Sequence, residues 1–178
     1  MSGAPLPVAG LWDRLHGVRE ALLALRLTAV EDRPAEGGTL AAERLADELE
    51  AACAEMQAAV DALDRLRGCS AARPAEALAD AHRHLQTAAN LYWLAFGPRR
   101  SQRELHRIAR TGGEQWAAWV QALWSAAENV TAELGEALDA LPDAWLAIAC
   151  PAPAIQVHTT AVGQQLLAAT SPQTKETP

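Results

Sequence analysis

Aromatic side chains other than tryptophan are nearly missing: Phe96 and Tyr92 are the single phenylalanine and tyrosine in 178 residues. That scarcity speaks against a core built from strands. Cysteine is rare as well. Cys53, Cys69 and Cys150 are odd in number and widely spaced, so they match neither a disulfide framework nor the paired spacing of a zinc site. They read as buried or incidental thiols. No run of about 18 apolar residues occurs, which excludes a transmembrane helix. The opening MSGAPLPVAG lacks a basic stretch leading into an apolar one, so no secretory signal is expected and the cytoplasm is the expected compartment. Positive charge is in deficit: 15 Lys and Arg face 22 Asp and Glu, a net charge of −7. That balance argues against general nucleic-acid binding, which needs a basic footprint.

What is present favours helices. Ala occurs 41 times, with abundant Leu, Arg and Glu, the strongest helix formers. Val8, Leu15, Leu22 and Ala29 repeat every seven residues, with Leu11, Val18 and Leu25 at the alternate step. This places one apolar stripe on a helix over 8–30. Leu45, Ala52, Ala59 and Leu66, joined by Leu49, Met56 and Leu63, predict a second helix over 40–67 with an acidic outer face. Leu78, Leu85 and Tyr92 predict a third over 75–96. SQRE at 101–104 reads as a capping box opening a short helix over 102–110, before Gly112 and Gly113. Trp116, Leu123, Val130 and Ala137, alternating with Val120, Ala127, Leu134 and Leu141, predict a helix over 114–141. Pro142 then begins a kinked extension or a separate short helix to 150.

Four long striped helices with short loops predict an all-α protein: an antiparallel four-helix bundle over 8–150 with one extra short helix. Closure of two hairpins in a homodimer is the alternative. Residues 1–7 are expected to be a flexible N-terminus, and the proline- and threonine-rich 151–178 a mostly disordered C-terminal tail. Within it, 155–167 is the part apolar enough to dock.

Catalytic motifs are absent: there is no GxSxG, P-loop, GxGxxG, HExxH or Glu-x-x-His. No enzyme activity, cofactor or metal is expected. Asp80 and His84, four residues apart on one helix, are expected to form a surface pair. The more specific features are surfaces. Arg99, Arg100, Arg103, Arg107 and Arg110 crowd into twelve residues, and the last four share one face of the short helix. This face either pairs with the acidic second helix or docks an acidic protein partner or a phosphate. Six tryptophans exceed what one narrow bundle can bury. Trp116 falls on a stripe, whereas Trp119 and Trp124 fall at its edge and are candidate partner-binding residues. An aromatic-lined pocket for a small apolar ligand is a further candidate.

Two resemblances add expectations. The run HRHLQTAANL from His82 to Leu91 resembles the phosphoacceptor helix of histidine phosphotransfer domains, with Asn90 eight residues after His82. The resemblance implies a phosphorelay role with His82 as phosphoacceptor. Leu85 stands where that family has lysine, and Gln86 where it has glycine. Separately, residues 11–34 (LWDRLHGVREALLALRLTAVEDRP) and 112–130 (GGEQWAAWVQALWSAAENV) resemble small all-helical accessory proteins of actinobacterial conflict operons, associated with caspase- and trypsin-linked helical modules. That resemblance implies a non-enzymatic partner or regulatory role and assigns no site residues.

Overall fold

The seven-residue stripes become buried faces. The protein, a computed structural model, is described over residues 8–35, 40–67, 73–97 and 101–149. The helices are α1 (Ala9–Val30), α2 (Leu40–Arg67), α3 (Pro74–Phe96), α4 (Ser101–Thr111) and α5 (Gly113–Ala149), with no strand among the described residues. Expectations for 1–7 and 151–178, and for Cys69, Cys150, Arg99 and Arg100, lie outside them. No helix among the described residues is long and apolar enough to cross a membrane.

Contacts between helices fix the topology. Trp12 Nε1 donates to Asp64 at 2.7 Å, and Arg26 pairs with Glu50, so α1 and α2 run antiparallel. Arg65–Asp80 at 3.3 Å and His84–Glu55 at 2.7 Å do the same for α2 and α3. Tyr92 Oη donates to the Ala127 carbonyl at 2.7 Å between α3 and α5. Arg14 pairs with Glu136, and the Trp119 indole donates to the Thr28 carbonyl at 2.8 Å, which closes the ring from α5 back to α1. The result is an up-down-up-down bundle of α1, α2, α3 and α5, closed within one chain, with α4 packed against α5 and α3.

The core is mostly aliphatic and alanine, with Tyr92, Phe96, Trp116 and Trp119 among it: Leu15, Leu22, Leu49, Met56, Leu63, Leu78, Leu85 and Leu123 are fully buried, and no charged residue among the described residues accompanies them. Each large side chain so placed contributes roughly 1.5–3 kcal/mol of transfer free energy. Two glycines shape the packing. A Cβ on Gly17 would meet only the end of the Glu133 side chain, so the glycine leaves room for that carboxylate where α5 passes α1. Gly113 has φ of 81°, a left-handed conformation that lets the chain turn from α4 into α5 without strain.

The segment after Pro142 takes the form of an extension of the preceding helix, one of the two expected forms. α5 runs unbroken to Ala149. Pro142 itself is exposed, while Leu141 and Ala144 on either side are buried against the bundle. That packing holds the helical path where proline has removed the bond to the Leu138 carbonyl.

Candidate functional site

α4 is amphipathic at short range. Leu105 and Ile108 are buried against the bundle, which turns Arg103, Arg107 and Arg110 to solvent. The three arginines are not equivalent. Arg107 grips the Glu104 carboxylate with Nε at 3.0 Å and with Nη2. This bond holds the Glu104 carboxyl below the ordinary carboxylate range and raises the Arg107 guanidinium. Arg103 and Arg110 make no ion pair among the described residues. Pairing of this face with the acidic face of α2 is therefore corrected for Arg107, whose partner sits one turn away on its own helix. Four carboxylates of α2 are served elsewhere: Glu50 by Arg26, Glu55 by His84, Asp64 by Trp12 and Asp61 by Gln57.

The tryptophans sort differently from expectation as well. Trp119 is not at an edge. It is 3% exposed, crossed edge-on by Trp116 at 5.3 Å, with its indole N–H bonded to Thr28. The stripe of α5 is wide enough to bury i and i+3 together, because α1 covers one flank and α4 the other. Trp124 is partly buried and stands edge-on to Phe96 at 5.8 Å. The exposed indole is Trp93, 47% exposed, beside Leu94 at 68%. Both lie off the α3 stripe that runs through Leu85 and Tyr92, and that offset was their signal in the sequence.

Trp93 and Leu94 border an open groove of about 1000 Å³. Its walls are the start of α2 (Leu40, Arg44, Glu48), the end of α3 and the inner edge of α4 (Arg103, Leu105, Arg107). Apolar surface thus lies between two guanidiniums, Arg44 and Arg103, that have no ion pair among the described residues. Such a surface is suited to binding an apolar segment that carries carboxylates.

His82 is half-buried on α3. Leu85 is sunk in the core, and the exposed Gln86 donates to Asn90 Oδ1 at 3.4 Å. His84 does not pair with Asp80. Its Nδ1 lies 2.7 Å from Glu55 Oε2 and its Nε2 3.2 Å from Arg83, while Asp80 takes Arg65 and Arg83. The helix-to-helix contact prevails because α2 brings Glu55 alongside. Cys53 is an inert thiol: burial, opposed by Arg26, pushes it from 9.0 to about 11. No group of three or more His, Cys, Asp or Glu among the described residues could hold a metal ion.

No family model matches the chain, and no curated protein or solved structure matches it.

Proposed function

We propose that the protein works without catalysis, as a helical interaction protein that docks an acidic protein segment at the α4 end of its bundle. The accessory or regulatory role implied by the conflict-operon resemblance, in the cytoplasm, is the setting such a module would serve. One observation carries the proposal: Arg44 and Arg103, without ion pairs among the described residues, flank the exposed indole of Trp93 and the side chain of Leu94. Exposed large apolar groups rimmed by polar ones mark interaction surfaces, and tryptophan and arginine dominate binding energy there.

The competing proposals have less behind them. Phosphotransfer at His82 needs a lysine near the imidazole, and Leu85 fills that place from within the core. A small apolar ligand needs a site that buries most of its surface, and the groove is open.

The test is capture from native lysate followed by reconstitution from purified components. Wild type is expected to retain a stoichiometric partner with an acidic contact segment. R103E/R110E is expected to lose it with helicity unchanged. Arg107 is left alone, since its reversal would set two carboxylates together within α4. Binding that survives the double reversal, or no stoichiometric partner at all, overturns the proposal.

A further inference from the structure

The large exposed apolar side chains are distributed unevenly. Leu27 and Val30 end α1, Leu40 begins α2, and Trp93 and Leu94 end α3. The antiparallel order puts all five at one end of the bundle. The sixth, Leu146, is 62% exposed near the end of α5, at the opposite end. Its helix face carries charge. Asp143 and Asp139 precede it by three and seven residues, about 4.5 and 10.5 Å along the axis. Both are exposed and make no ion pair among the described residues. Among the described residues, one end therefore offers an apolar groove whose two guanidiniums without ion pairs outnumber the Glu48 carboxylate, and the other an apolar knob with two carboxylates without ion pairs.

Resting on the reading of the groove as a docking surface, we infer that its occupant is the C-terminal end of α5 from a second copy of this chain. Leu146 lies against Trp93 and Leu94, and Asp139 and Asp143 face Arg44 and Arg103. Other occupants from the same chain fit less well. The tail 151–178 holds a single carboxylate side chain, Glu176. It also starts far away: Phe96 is level with Trp124, and the 25 residues of α5 from there to Ala149 span about 37 Å. An extended chain covers about 20 Å in six residues, so Ile155 falls short of its own groove while Leu166 and Leu167 lie within reach, and the scarcity of carboxylates is what disfavours the tail. The outer face of α2 has carboxylates at Glu43 and Asp47, but its large apolar side chains beyond Leu40 are turned into the core.

The two contacting surfaces are different, so the contact is head-to-tail. Each bound copy leaves one free groove and one free knob, and assembly continues into open chains unless a ring closes.

Sedimentation velocity of the full chain, from low micromolar to several hundred micromolar, tests this. Wild type is expected to grow past the dimer as concentration rises. L146D and W93A/R103E are each expected to stay monomeric with unchanged helicity, at affinities roughly tenfold or more below wild type. An equimolar mixture of the two variants is expected to form dimers that grow no further, since each retains one competent end. D139R/D143R supplies a second knob variant, expected to recover binding to a groove carrying R44D/R103D. A wild type that stays monomeric throughout overturns the inference, as does assembly that L146D leaves intact or a mixture that stays monomeric. A monomeric wild type that still binds an acidic partner through Arg103 and Arg110 would end this inference and leave the proposed function standing. Self-assembly with no partner from lysate would do the reverse.

Discussion

Two tryptophans with the same chemistry carry opposite loads. Trp119 is enclosed by α1 and Trp116, and its N–H has a partner at Thr28. Trp119→Ala removes a buried indole and leaves a cavity, so about 3–5 kcal/mol of stability should be lost in urea unfolding. Trp93 lies half in solvent. Trp93→Ala should stay within about 0.5 kcal/mol of wild type, and its effect should appear in association instead. Measuring both substitutions by denaturation and by sedimentation separates core from surface at single-residue resolution. Cys53 offers a chemical readout at the same scale. Its thiol is raised to about 11 from 9.0 because burial penalises the thiolate, with Arg26 opposing. At pH 8 the thiolate fraction should be roughly a hundredfold below that of a free thiol, so iodoacetamide should label Cys53 about that much more slowly until denaturant is added. Site-resolved mass spectrometry reads the rate. The sign of the linkage follows: the folded state holds the proton more tightly, so this group costs stability only as pH rises from 9.0 toward 11. Rapid labelling in native buffer would show that the side chain is not enclosed.

Helix α5 shows how tertiary packing overrides local preference. Proline inside a helix removes a hydrogen bond and crowds the preceding turn, at about 3 kcal/mol relative to alanine. Pro142 is exposed, so alanine there restores the bond to the Leu138 carbonyl with no loss of burial. Pro142→Ala is expected to stabilise the protein by about 1–3 kcal/mol in urea titration, and a destabilised variant would mean that proline itself is needed for packing at this point. The same override marks what was legible in the sequence. Boundaries of α1 to α3 follow from stripes that repeat for three or more turns, and those of α4 from the capping box at 101–104 and the glycines at 112 and 113. The choice between an extension and a separate helix after Leu141 was not legible, because burial of Ala144 depends on the neighbouring helices, which no local pattern encodes. The arginines of α4 were legible from their 3,4,3 spacing. Their pairing was not, since Glu104 and the α2 carboxylates are equally acidic in sequence and only geometry separates them. Trp119 was misplaced for a related reason: the width of a buried stripe depends on how many helices cover it.

At the scale of the whole molecule, charge opposes the head-to-tail contact that the exposed apolar groups favour. Each copy carries a net charge of −7. Two such copies centred about 50 Å apart repel by roughly 0.8 kcal/mol at 0.01 M salt, where the Debye length is about 30 Å, and negligibly at 0.15 M. Raising salt over that interval should therefore tighten association about fourfold. The contact's own ion pairs act in the other direction. Arg44 and Arg103 against Asp139 and Asp143 are exposed pairs, each contributing about 0.2–1 kcal/mol and screened progressively at higher salt. The apolar contribution of Trp93, Leu94 and Leu146 is insensitive to both effects. Association should consequently pass through a maximum near physiological ionic strength, weakening below it by long-range repulsion and above it by loss of the local pairs. Sedimentation across a sodium chloride series reads this directly. A monotonic strengthening up to 1 M would mean that apolar burial alone holds the copies together and that the facing charges are incidental. A monotonic weakening would mean that opposite charges dominate at all distances, which a pair of copies each at −7 cannot sustain unless the contacting ends are far more polarised than Arg44, Arg103, Asp139 and Asp143 make them.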